Sequence, residues 1–163
     1  MRAAASIPLL CVTLPPLPSA LRRAYQETAY HVRLRGNIAL ALRIGQPAPE
    51  LTRAFPRLRC WALLTAWNPQ STRCGKNDNR RAQSRLRAAL RQGGWRFFTG
   101  ENHAAPATPG CRSWPPEASL FVPNLPLATA ISLARHFRQT AALAGGKETS
   151  KSKTRFLPGY AGA

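Results

Sequence analysis

Seven uncharged residues in a row, WALLTAW at 61–67, constrain this chain more than any other stretch. The run is too short for an ordinary helix and is bounded by turn formers, so it predicts a buried strand. Asn68-Pro69 ends it, because proline has no N–H for a sheet ladder and asparagine enters turns readily. The next residues are mostly polar or small, and Asn77, Asp78 and Asn79 are capping types ahead of a helix over 79–92. Its register Ala82, Leu86, Ala89, Leu90 places apolar groups on one face. The stretch therefore reads as strand, polar loop and helix, and in open α/β sheets ligands bind at loops that leave the carboxyl ends of strands.

The remaining elements follow from periodicity and punctuation. Ser19 can cap a short helix in which Leu21, Ala24, Tyr25 and Thr28 share a face. Residues 30–34 and 38–44 alternate on either side of Gly36-Asn37 and predict a β-hairpin, with His31 facing solvent. Residues 50–55 predict a helix closed by Pro56, and Gly93-Gly94 ends the helix over 79–92. Strands are predicted over 95–99 and 117–122, separated by a Pro/Gly-rich loop over 100–116 that is longer than compact domains usually carry. Pro126 opens a helix reaching Gln139, with Leu127, Ala130, Ile131, Ala134 and Phe137 on its face, and 141–144 is a last strand. The expected fold is α/β (α+β): one compact domain over 19–146, a mixed sheet of about five or six strands, and three or more helices. Residues 1–18 and the basic segment 147–163 are expected to be disordered extensions, since neither carries enough apolar surface to offset ordering.

A formal net charge of +18 over 163 residues attracts polyanions, so nucleic acid is a candidate partner. Arginine dominates the basic residues, which include only four lysines (Lys76, Lys147, Lys151, Lys153), a bias that a GC-rich coding sequence also produces. Cys11, Cys60, Cys74 and Cys111 form no CxxC pair and have no histidine at zinc-ligand spacing, so no metal or cofactor is expected. Nothing demands disulfides, which fits a reducing cytoplasm, and residues 1–20 are too short to span a membrane. Six acidic residues, with no paired carboxylates and no nucleophile–base spacing, assemble no catalytic mechanism.

In order along the chain stand TAWNP at 65–69, Ser71, a helix opening at Asn79, Glu117-Ala118-Ser119, and Phe137-x-Gln139-x-Ala141. Together they resemble the bacterial family known as domain of unknown function 3293. Tyr25, Thr28 and Tyr30 are similar to its opening motif. The resemblance implies a compact α/β domain and supplies no reaction. The chain departs from it after Gly146, where the closing apolar strand expected in relatives is missing, and in the extra residues 1–20.

Two functional classes remain open. The first is a small polar ligand bound at the loop after the TAWNP strand by Trp67, Asn68, Ser71, Asn79, Glu117 and Gln139, with Asp78 opposing a second anion at the helix start. The bland alternative is that the asparagines only cap and bridge the loop. The second class is a nucleic-acid module using Arg81, Arg85, Arg87 and Arg91 on the helix over 79–92 together with the basic tail. Chain reversals give one geometric expectation. The strands over 61–67 and 95–99 run the same way and 117–122 returns, so that Asn68, Asn79, Glu117 and Gln139 meet at one sheet edge.

Overall fold

A computed structural model of the chain describes residues 18–34, 39–46, 48–105 and 114–146, and the backbone of 155–158. The elements in order are α1 (Ser19–Glu27), β1 (Ala29–Arg33), β2 (Ala39–Leu42), α2 (Pro49–Ala54), β3 (Cys60–Leu64), α3 (Lys76–Gln92), β4 (Phe98–His103), β5 (Glu117–Pro123), α4 (Leu127–His136), β6 (Ala141–Gly146) and β7 (Arg155–Pro158). They form one seven-stranded sheet in the order β2-β1-β4-β5-β3-β6-β7.

Every ladder is antiparallel, where a mixed sheet was expected. The reason lies in the two crossovers. β3 and β4 run the same way as expected, but β5 lies between them; β5 and β6 also run the same way, with β3 between them. Each helical crossover thus spans one intervening strand, and the segment from β3 to β6 is an interlocked pair of split β-α-β units with ferredoxin-like connectivity. The β1–β2 hairpin extends this core beyond β4, and β7 extends it beyond β6.

β3 is interior, and Trp61 to Leu64 are all buried, as a strand covered on both faces requires. One face packs Ala62, Leu64, Leu120 and Val122 against Leu86 and Leu90 of α3 and Ala130 and Ala134 of α4. The other face packs Trp61, Leu63, Phe121 and Leu143 with Tyr30, Val32, Leu40 and Leu42 of the hairpin and Leu51 of α2. A cluster that joins β2 to β6 across the sheet requires the sheet to curl over α2.

Element boundaries differ from expectation for identifiable reasons. α3 begins at Lys76, a turn earlier than read, and its N-cap position is Gly75 with no side-chain cap. β4 begins at Phe98 and not at Trp95, because Trp95 is consumed in closing α3. Gly94 has φ of 73°, the Gly94 N–H donates to the Arg91 carbonyl and the Trp95 N–H donates to the Leu90 carbonyl, a Schellman ending. Residues 155–158, expected to lie in a tail, pair with β6, whose outer edge would otherwise present a row of unpaired backbone groups. The hairpin turn over 35–38, residues 1–17 and residues 147–154 lie outside the described residues.

Gly100 sits where β4 crosses both neighbours, and a β-carbon there would collide with the His31 carbonyl oxygen and with Ser119 Oγ. Gly100→Ala is expected to destabilise the fold by about 1–3 kcal/mol. Chemical denaturation measures this, and an unchanged midpoint would contradict the β1–β4–β5 register.

Candidate functional site

Where β3 leaves the sheet, three side chains fix the path of the backbone. Thr65 Oγ1 donates to the Ala118 carbonyl at 2.8 Å and accepts the Trp67 N–H at 3.0 Å, which ties the exit to β5. Gln83 Oε1, buried on α3, accepts the Ala66 N–H at 2.9 Å. The chain then turns at Asn68, which has φ 47° and ψ 58°, a left-handed conformation that asparagine tolerates better than most residues.

The Asn68 amide is the hub. Its Oδ1 accepts from Asn79 Nδ2 at 2.9 Å and from the Cys74 N–H at 3.0 Å, and its Nδ2 donates to Glu117 Oε1 at 2.5 Å. The Asn68 N–H donates to Asn79 Oδ1 at 2.8 Å. Asn79 therefore does not cap α3; from the helix's first turn it closes a reciprocal amide pair, and its Nδ2 also reaches the Cys74 carbonyl at 3.3 Å. Both asparagines are buried.

Glu117 opens β5 at the same edge. Its Oε1 also accepts from Trp114 Nε1 at 2.8 Å, and the Arg73 guanidinium lies 5.0 Å from the Trp114 ring centroid. Among the described residues Glu117 makes no ion pair. Burial pushes its carboxyl above the usual range, and the hydrogen bonds from Asn68 and Trp114 only partly oppose this.

A second layer lies beside the first. Ser71 Oγ donates to Thr140 Oγ1 at 3.0 Å and shares a hydrogen bond with Tyr25 Oη at 3.2 Å. Burial raises the Tyr25 phenol, and the charge of Glu117 adds to the effect. Gln139 Nε2 donates to the Trp67 and Phe137 carbonyls, each at 3.2 Å. Gln139 reaches the edge because α4 also closes with a Schellman ending: Arg138 N–H to the Arg135 carbonyl and Gln139 N–H to the Ala134 carbonyl. The left-handed position, usually glycine, is here Arg138 with φ 53°. Arg138 is latched to Gln70, itself at φ 57°, through Gln70 N–H to the Arg138 carbonyl at 2.7 Å and Arg138 Nη2 to Gln70 Oε1 at 2.9 Å.

The structure thus brings Asn68, Asn79, Glu117 and Gln139 to one sheet edge. Asn68, Asn79 and Glu117 bond directly, while Gln139 binds the backbone at Trp67 and Ser71 belongs to the tyrosine layer. Trp67 Nε1 is a buried donor without a partner among the described residues. Sequence reasoning missed Trp114, Arg73 and Thr140 as neighbours. Tyr25 was visible as part of a helix face and of the family resemblance, but not as a neighbour of Ser71. Of the arginines expected to meet nucleic acid, Arg81, Arg85 and Arg91 are exposed, whereas Arg87 is half-buried and its Nε has no partner among the described residues.

Among the described residues no group of three or more His, Cys, Asp or Glu side chains is arranged to hold a metal ion, and no helix is long and apolar enough to cross a membrane. Residues 64–142 match the model of a family described as "Protein of unknown function (DUF3293)". The resemblance therefore holds over the stretch carrying TAWNP, Asn79, Glu117 and Gln139, and the Tyr25 to Tyr30 opening lies outside the matched residues. No curated protein and no solved structure matches the chain.

Two measurements check this geometry. Asn68→Ala removes the hub and leaves a β-carbon in a left-handed position, so it is expected to cost about 2–4 kcal/mol, whereas Asn68→Gly relieves the backbone and costs about 1 kcal/mol less. Denaturation of both variants separates the two contributions, and equal losses would deny the strain. For Glu117 the sign follows from its raised folded-state value. The fold favours the protonated carboxyl, so this residue's contribution is fully present below the ordinary glutamate value and is lost as pH rises through the raised one. E117Q keeps an Oε1 acceptor without the charge, so its melting temperature relative to wild type is expected to rise as pH goes from about 4 to about 8. A relative melting temperature of E117Q that falls over that range contradicts the burial argument.

Proposed function

We propose that the loop after β3 binds a small polar ligand that presents an amine, amidine or amide N–H to Glu117. One observation carries this reading. In a chain of formal net charge +18, Glu117 is half-buried beside neutral donors, Asn68 and Trp114, with no arginine or lysine paired to it among the described residues. A half-buried carboxyl with a perturbed protonation equilibrium at a sheet edge is a characteristic functional-site feature.

Backbone strain at the same edge supports the reading. Asn68, Gln70, Ser71 and Arg138 all have positive φ without being glycine, and such residues cluster where a fold sets side chains for binding. Trp67 Nε1, on the residue before Asn68, is a buried donor without a partner among the described residues. The amides of Asn68 and Asn79 satisfy each other and the loop backbone, so their part is to position Glu117 and its loop.

Thermal-shift screening of the full chain against small amines, guanidines and primary amides tests the proposal. Ligands that stabilise wild type are expected to lose their effect on E117Q, and the affinity of cationic ones is expected to rise with pH as Glu117 ionises. Stabilisation that survives in E117Q would place the ligand elsewhere.

A further inference from the structure

At the other end of β4 from Glu117 lies an open groove of about 440 Å³, within the range of about 300–1,000 Å³ usual for small-molecule sites. Its floor is apolar and half-buried: Leu34 after β1, and Trp95, Phe97 and Phe98 leading into β4. Its rim carries the exposed guanidinium groups of Arg33 and Arg96. Among the described residues the lining contains no carboxylate, and a third guanidinium, Arg91 at the end of α3, lies 5.6 Å from the Phe97 ring centroid.

An occupant complementary to this lining needs a flat apolar part and an anionic part a short distance away. We propose that the groove binds a nucleotide unit, with its base against Trp95 and Phe97 and its phosphate between Arg33 and Arg96. Guanidinium forks match phosphate oxygens bidentately, and aromatic side chains accept any base through its π-face. The sequence alone showed scattered tryptophans and an arginine-rich helix. In the fold, Arg91 stands over the Phe97 ring, while Arg81 and Arg85 lie earlier on α3 and are not among the described residues that line the groove. The inference stands apart from the Glu117 reading, since the two sites share no residue.

A free nucleotide and a single-stranded nucleic acid present the same chemistry, so the test uses both. Fluorescence anisotropy follows an oligouridylate of about 12 nucleotides and tryptophan quenching follows uridine monophosphate, each titrated with the full chain. The double substitution R33A/R96A, at two exposed positions, is expected to weaken both ligands about tenfold and to make the slope of log affinity against log salt for the oligonucleotide shallower by about 1 to 1.5. R81A/R85A removes the same charge from α3 and is expected to leave both affinities within about twofold. Tighter binding of the oligonucleotide than of the monomer assigns the site to a strand, and equal binding assigns it to a free nucleotide; either supports the groove. Equal losses in the two double variants, which would mean that affinity follows net charge alone, overturn the proposal, and so does failure of both ligands to bind.

Discussion

A buried primary amide must find partners for two N–H donors and a carbonyl, and each unmet group costs on the order of 1–3 kcal/mol. Asn68 engages both its amide nitrogen and its amide oxygen, and so joins the end of β3, the first turn of α3 and the first residue of β5. The consequence reaches into the core. Asn79 fixes the rotation of α3 about its axis, and with it the stripe Gln83, Leu86, Leu90 that faces the sheet. The same stripe begins with amides and ends with leucines, so one helix face serves the polar edge and the apolar layer in succession.

Strain at this edge is organised in pairs. Gln70 and Arg138 come from segments 68 residues apart, each in a left-handed conformation costing about 1–2 kcal/mol for a residue with a β-carbon. Their two mutual hydrogen bonds hold both in place. Arg138 stands where glycine would close α4 without strain, so the side chain's bond to Gln70 is what the fold gains from having arginine there. Gln139, the next residue, is then delivered to the Trp67 carbonyl.

The sequence was informative wherever one signal dominated. An uncharged run bounded by Asn-Pro marked an interior strand, and 3.6-residue periodicity placed α3 and α4. Counting chain reversals brought Asn68, Asn79, Glu117 and Gln139 to one edge, because each reversal flips the chain end regardless of where strands pair. Pairing was less legible. No local pattern says that β5 inserts between β3 and β4, since the choice depends on long-range packing of Phe121 and Leu120 against opposite faces. The tertiary setting also overrode turn signals: Trp95 reads as a strand residue but closes a helix, and Asn79 reads as a cap but pairs with Asn68. Trp114 escaped notice because a Pro/Gly-rich loop offers no period to place a side chain.

The insertion of β5 also sets an order of events during synthesis. β3 has two ladder partners, and both come later in the chain: Leu64 pairs with Leu120, and Cys60 pairs with Gly146. While a ribosome is still making α3 and β4, the wholly apolar strand β3 has been produced and neither of its edges can be covered. A nascent chain of this length exposes Trp61 to Leu64 as an open pairing surface, the kind of segment that associates with other chains or is shielded by chaperones. Ladder closure waits for β5, and the other edge of β3 waits for β6, so β3 stays open to association until both of these strands have emerged.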